Sequence, residues 1–423
     1  MGLASSLSGL TAAATAIDIV GNNIANSQTI GYKASKARFA DVLAASLPGA
    51  AQASTASAGV TVTVVIQPGQ GSVEQSDNAL DMAIAGKGFF RLNNSGAITY
   101  TRDGQFQLAY DTAIPDRRFL VNQQGRSVTG YLATYTVDPQ GVIVPGAAPQ
   151  DIVIDPIMPP KATTQVSMGA NLDARAAVPL LPFDPLDKST YNAAPGLAAF
   201  DSAGASHDFQ MFLVKSAPGN LWDLYTTVDG GAQTGPVSVS FDTAGRMTTP
   251  MPLAAQTYAL AGGASLSLAI DLSGTTQYGR SFGVDSLTQD GYPEGAIVSN
   301  NGFSVGTDGI IQAAYSNGQS RRVAQVVLAN FINPDAMIGL GDGQWEANPD
   351  PVSGTGPEIL DTPGNGLGGK GMGSVQGNAK ETSNVDLSNE LVALIEQQRN
   401  YQASAQTFKI LDQVLQNLTR MTS

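Results

Sequence analysis

The residues suited to chemistry are few, and their spacing argues against catalysis. Gly364-Asn365-Gly366-Leu367-Gly368-Gly369 matches G-x-G-x-x-G, in which glycines let a backbone approach a pyrophosphate, and Gly364 to Lys370 starts like a P-loop. Both patterns require a hydrophobic strand before them, and the P-loop requires Ser or Thr where this chain has Gly371. The stretch around them is Gly- and Pro-rich with no such strand, so no phosphate site is expected. His207, the only histidine, stands beside Asp208 just after the turn Asp201-Gly204. A His–Asp pair could supply a general base, but no nucleophile elbow accompanies it, and His207 reads as a turn histidine hydrogen-bonded to backbone. A single His and no Cys exclude His-pair zinc sites, thiolate ligands, disulfides and thiol nucleophiles. The 35 acidic residues could include a glycosidase-like carboxylate pair, but 7% aromatics with two Trp are few for a sugar cleft. Asn93-Asn94-Ser95 and Asn417-Leu418-Thr419 match the short N-x-S/T pattern and no more. No catalytic residue, cofactor or metal is assigned, and the chain is not expected to be an enzyme.

The elements behind these residues point to another kind of protein. The chain has 423 residues, 42% of them hydrophobic and only 13% charged, with 47 Gly and 23 Pro. Its net charge of -13 argues against nucleic acid, which demands a basic footprint. The charge lies in the middle. Residues 1–42 hold three basic and two acidic groups and residues 376–423 hold four and five, so the two ends together are neutral. No apolar run reaches the ~18 residues of a membrane span, so no membrane insertion is expected. The first basic residue is Lys33, which does not fit a secretory leader; export would need another route.

Both ends carry helical periodicity. Leu3, Leu7, Leu10, Ala14, Ile17 and Ile24 step by four, three, four, three and seven, a heptad seam. Gly21, Asn22, Asn23 and Asn26 then suit a helix end. At the other end Leu387, Leu391, Leu394, Gln398, Tyr401, Ala405 and Phe408 step by four and three, and Leu411, Leu415 and Leu418 follow after a phase shift. Asp386 suits an N-cap and Glu390 the first turn. With no Gly or Pro from Leu387 to Met421, this helix would run ~52 Å, a coiled-coil length. Two ordinary amphipathic helices docked on a core remain the alternative on pattern alone. The middle reads as β: turn pairs such as Asp103-Gly104, Asp229-Gly230, Asp290-Gly291 and Asn317-Gly318 separate short alternating runs such as Val237-Ser238-Val239-Ser240-Phe241. From Val42 to Val73 there is no charge, which suits a contact surface or a segment ordered on assembly. Gly354 to Gly377 reads as a linker returning the chain to the last helix.

Ser8-Gly9-Leu10-Thr11-Ala12-Ala13, Asn22-Asn23-Ile24-Ala25-Asn26 and Gly31-Tyr32-Lys33 closely resemble the N-terminal signature of bacterial flagellar axial proteins. Ser383-Asn384-Val385-Asp386-Leu387, Glu390-Leu391-Val392 and Gln398-Arg399-Asn400-Tyr401-Gln402 resemble the matching C-terminal signature. Leu80-Asp81-Met82-Ala83-Ile84, Gly88-Phe89-Phe90 and Arg102-Asp103-Gly104-Gln105-Phe106 are similar to rod and hook proteins, and Tyr315-Ser316-Asn317-Gly318-Gln319 and Leu328-Ala329-Asn330-Phe331 to the hook branch.

The resemblance implies a mainly β fold with a terminal α-helical coiled coil, its discontinuous antiparallel β-domains inserted between the N- and C-terminal helices. The division expected is a helical inner-tube domain at 1–28 and 384–423, an extended connecting segment at 29–73 and 363–383, a first β-domain at 74–156 and 285–362, and an outer inserted β-domain at 157–284. The implied function is a structural subunit of the flagellar hook, self-assembling into a hollow curved tube that links rod to filament and passes torque as a universal joint. A distal rod or hook-filament junction protein is the alternative, and an adhesin-like module or a hydrolase would leave the helical ends unused. The implied partners are further copies of the chain, the rod, the hook cap, the junction proteins and the type III export apparatus. The implied location is the basal body and hook, outside the cell after export. The residues expected at subunit contacts are Leu3, Leu7, Leu10, Ile17, Asn22, Asn23, Ile24, Asn26, Leu387, Leu391, Leu394, Arg399, Tyr401, Phe408, Leu411 and Leu415.

Overall fold

The computed structural model describes residues 2–422 except 44–56, 112–113, 115–116, 137, 139, 218, 299–301 and 365–371. Helices α1 (Gly2–Ala25) and α2 (Leu387–Thr422) stand at the two ends. α1 stops where Asn26 turns back, its N–H and Nδ2 donating to the Asn22 carbonyl at 3.1 and 3.0 Å. α2 starts on Asp386, whose Oδ1 accepts from the N–H groups of Ser388 and Asn389 at 2.9 and 3.2 Å. That carboxylate satisfies two of the donors a helix start leaves unpaired. Between the helices the described residues form β-strands and turns, with 3-10 turns at Lys188–Thr190 and Pro334–Ala336.

The chain forms two compact units, one of Met1–Pro156, Val298–Ala314 and Ser320–Ser423, the other of Ile157–Ile297 and Tyr315–Gln319. In the first, the path of its large sheet runs Phe303–Val305, Ile310–Ala314, Ser320–Val326, Ser127–Thr134, Phe89–Asn94, Ala97–Thr101, Gln344–Glu346 and Ile338–Gly341. Phe90, Leu92, Leu120, Val128, Ile152 and Ile154 are wholly buried. A second cluster gathers Ile66, Phe89, Tyr100, Ala329, Phe331, Met337 and Trp345. Its rings meet edge-on, Tyr100 to Phe331 at 4.9 Å and Phe89 to Trp345 at 5.7 Å, the arrangement aromatic quadrupoles favour. In the uncharged stretch, Ser57–Ile66 is one arm of a hairpin with Ser35–Leu43, and Ile66 joins that cluster; residues 44–56 lie outside the described residues.

Gly354 to Gly377 is not a free linker. Ile359–Asp361 pairs with Leu328–Asn330, and Ser374–Gly377 pairs with Met82–Ala85. Backbone groups held against the body need partners, and pairing supplies them. Residues 365–371, most of the G-x-G-x-x-G match, lie outside the described residues.

The second unit is a sandwich. A four-stranded antiparallel meander, Gly196–Phe200, Ser206–Ser216, Leu221–Val228 and Thr234–Ser240, faces a five-stranded sheet built around Gln165–Asp173. Phe209, Met211 and Leu213 from one sheet meet Val166, Met168, Ala170 and Leu172 from the other, the period-2 alternation of strands with one buried face. Among the described residues the expected antiparallel pairing holds except at one strand. Gln165–Asp173 runs parallel to Ser265–Asp271 and Thr276–Tyr278, because the long excursion between them returns the chain in the same direction.

His207 corrects its sequence reading. Its partners are carboxylates of two neighbouring turns rather than backbone or Asp208: Nδ1 lies 2.7 Å from Asp229 and Nε2 3.5 Å from Asp201. The hydrogen bond to Asp229, aided by the negative charge of Asp201 and opposed by burial, raises the imidazole above its ordinary 6.5. A raised folded value means the clamp contributes fully below about 6.5 and is lost as pH rises through the folded value. The thermal midpoint of the second unit is therefore expected to fall above that pH, and His207→Gln to flatten the profile. NMR titration of the single imidazole tests this, and a midpoint at or below 6.5 would refute the clamp.

Candidate functional site

The two ends of the chain meet at a buried group of charges. Lys33, Arg102 and Glu381 are at most 2% exposed. Lys33 Nζ donates to Glu381 Oε1 at 2.6 Å and to the Gly69 carbonyl at 2.8 Å. Arg102 Nη1 donates to Glu381 Oε2 at 3.1 Å, and its Nη2 to the Gly86 carbonyl at 2.6 Å. Gly71 N–H donates to Glu381 Oε1 at 2.8 Å. One carboxylate thus holds two cations, one just after α1 and one in the β body, while itself standing just before α2. Burial pulls both Lys33 and Arg102 below their ordinary pKa, and Glu381 opposes the fall in each.

Asparagines complete the anchor. Asn23, 1% exposed, donates from Nδ2 to the Ser35 carbonyl at 2.8 Å and accepts at Oδ1 from Ser35 N–H at 2.9 Å and Tyr32 O–H at 3.2 Å. Asn384 accepts from Ala34 N–H at 2.8 Å and donates to the carbonyls of Gln67 and Gly69, both at 3.0 Å. Glycine is required where chains cross: Gly31 has φ of +68°, and a Cβ there would sit 2.4 Å from the Asp103 nitrogen. Asn23→Ala leaves these backbone groups unpaired, so it is expected to cost about 1–3 kcal/mol, read as a lower urea midpoint; an unchanged midpoint would remove Asn23 from the anchor.

Above the anchor, α1 and α2 lie antiparallel. The segment after α1 meets the residues before α2, while a Cβ on Gly9 would sit 3.9 Å from Ser404 Oγ. α1 buries Ala12, Ala13, Ala16, Ile19, Val20 and Asn23. At 3.6 residues per turn this stripe is centred roughly 130° from the Leu3–Ile24 seam. Small side chains let the helix approach closely, so the alanine face is turned inward and the described part of the leucine seam is left half-buried, with Leu7 exposed.

The expected contact residues divide accordingly. On α1, Leu7 is 50% exposed, Leu10, Ile17, Ile24 and Asn26 are half-buried, Asn22 is exposed and Asn23 belongs to the anchor. On α2, Leu394, Phe408 and Leu411 are half-buried and share the stripe of Ser404, which faces α1. Leu387, Leu391, Arg399 and Tyr401 are exposed. The side chains of Leu3 and Leu415 lie outside the described residues. The sequence reading missed Val392, Ile395, Ile410 and Val414, exposed by 57, 52, 56 and 48% along the opposite side of α2. It also missed Glu381 and its pairing with both Lys33 and Arg102. Lys33, Arg102 and Asn384 stand inside the quoted signatures, but nothing in those signatures says that they meet.

Among the described residues no group of His, Cys, Asp and Glu could hold a metal ion, and no helix is long and apolar enough to cross a membrane.

Residues 3–33 match the family model described as flagella basal body rod protein, and 375–421 that of flagellar basal body rod FlgEFG protein C-terminal. Residues 83–171 match flagellar hook protein FlgE/F/G D1 domain, and 171–292 flagellar basal body protein FlaE D2 domain. The chain is 36% identical over 431 residues to the flagellar hook protein FlgE of Salmonella typhimurium, covering 100% of both. It is 37% identical over 432 residues to that of Escherichia coli, again covering 100% of both. To that of Rhizobium meliloti it is 31% identical over 430 residues, covering 98% of this chain and 97% of the relative. The first of these segments ends at Lys33 and the last contains Glu381 and Asn384.

Proposed function

The chain belongs to the flagellar hook protein family, as a structural subunit of the hook, and we propose that its paired terminal helices are the element by which copies self-assemble into a hollow, curved helical tube joining rod to filament. Family membership implies homopolymer assembly. The observation that carries the reading is the apolar stripe Val392, Ile395, Ile410 and Val414, which one copy leaves in water. Burying one such side chain is worth about 1.5–3 kcal/mol, repeated in every subunit. Leu7, exposed on α1, offers a separate apolar contact.

Torque passes from the helices to the β body through the anchor, where three buried ionic side chains and two asparagines leave little freedom to swivel. The absence of Cys suits export of an unfolded chain through a narrow type III channel, since no crosslink can form on the way. The protein acts outside the cell, with the rod, the hook cap and the junction proteins as neighbours. Electron microscopy of the purified polymer tests the reading: curved tubes are expected, and straight ones would favour the rod.

A further inference from the structure

We propose that the loop 178–187 of the second unit inserts its leucines into an apolar pocket on the second unit of a neighbouring copy, a contact distinct from that of the terminal helices. The proposal rests on the homopolymer reading above.

Leu180 is 98% exposed, Leu186 92% and Leu181 56%. Among the described residues of the second unit no other large apolar side chain reaches half exposure. The loop that carries them is rigidly built. Pro179, Pro182 and Pro185 fix its backbone angles. Phe183 stacks on Tyr225 with ring centroids 4.1 Å apart and leans on Phe212 at 5.2 Å. Asp184 accepts from Leu186 N–H at 2.9 Å, and Thr190 Oγ1 bridges the loop through the Asp184 N–H at 3.0 Å and carbonyl at 2.8 Å. The leucines are thus presented to solvent by a loop already paid for in order, the preorganisation that makes an apolar knob bind.

A socket lies on the same unit. Leu224, Val237, Leu253, Ala254 and Ile270 supply the apolar lining of a pocket of about 70 Å³, whose other walls are Thr226, Thr234 and Gln256. A water needs roughly 10–15 Å³ by this measure, so the tip of a branched aliphatic side chain fits. A knob and a socket at different places on one molecule can make a head-to-tail contact, which continues from copy to copy as an open helix when its rotation does not close a ring. The homopolymer that family membership implies makes a second copy the occupant. The chain's charge of -13 sets copies against one another at long range, so apolar contact must supply the close attraction.

The full-length chain has no cysteine, so two introduced ones report only the contact in question. Leu186→Cys with Ala254→Cys, and Leu180→Cys with Ala254→Cys, place one thiol on the loop and one at the exposed rim of the pocket. Polymers of each are oxidised, dissolved in detergent and run without reductant. At least one pair is expected to give a ladder beyond dimers, which single-cysteine variants cannot form. Polymers without such a ladder overturn the knob-and-socket contact and leave the helix reading intact. A parent chain that makes no polymer overturns both. Leu180→Glu/Leu186→Glu provides a check free of thiols: its monomer should melt like the parent, while its critical concentration for polymerisation rises roughly tenfold or more. An unchanged critical concentration refutes the contact.

Discussion

Glu381→Gln is expected to destabilise the first unit by about 3–5 kcal/mol, the usual cost of breaking a buried ion pair on one side. For a unit of this size that is a fall in thermal midpoint of roughly 6–15 °C. Glutamine keeps the shape and can still accept from Gly71 N–H. It cannot answer the charges of Lys33 and Arg102, which are at most 2% exposed. Arg102 would keep only the backbone carbonyls of Gly86 and Ile84, and its Nε has no hydrogen-bond partner. Adding Lys33→Met removes one of the two stranded cations, so the double variant should recover part of the loss, a coupling that a double-mutant cycle measures. A Gln variant that melts like the parent, within about a degree, would mean the carboxylate does not hold the anchor.

Deleting residues 394–423 is expected to abolish polymerisation while both β-rich units stay folded. The deletion removes Ile395, Ile410 and Val414 from the outer stripe, and Leu394, Phe408 and Leu411 from the stripe facing α1. Three exposed apolar side chains are worth about 5–9 kcal/mol of gross burial per copy, more than most association equilibria can lose once the entropy of assembly is counted. The anchor lies before the cut, so Asn384 and Glu381 keep their partners. Sedimentation should show monomer at concentrations where the parent pellets, while thermal transitions of the β-units persist. Tubes formed by the truncated chain would exclude α2 as the assembly element. Ile395→Asp with Ile410→Asp separates the two stripes, because it charges the outer one and leaves the α1-facing residues intact.

Much of the site was legible at the level of elements. α2 announces itself by 35 residues without Gly or Pro and by Asp386 before them, and the structure caps the helix there. The turn pairs in the middle of the chain likewise mark real hairpins, such as Asp229-Gly230 between Leu221–Val228 and Thr234–Ser240. Which stripe of α1 would face inward was not legible. Leucine spacing drew attention to Leu3, Leu7 and Leu10, whereas the structure buries Ala12, Ala13 and Ala16. Hydrophobic periodicity ranks side chains by their transfer free energy, and it does not register how closely two backbones can approach.

Local order was therefore set by the sequence alone: where helices start and stop, where strands turn, and that the ends differ from the acidic middle. These depend on neighbours within a few residues, through capping, backbone angles and side-chain period. The anchor was decided only in three dimensions. Lys33 and Glu381 are 348 positions apart and Arg102 and Glu381 are 279 apart. The charge pairing that holds them acts over a few ångströms of space, and no spacing along the chain encodes it.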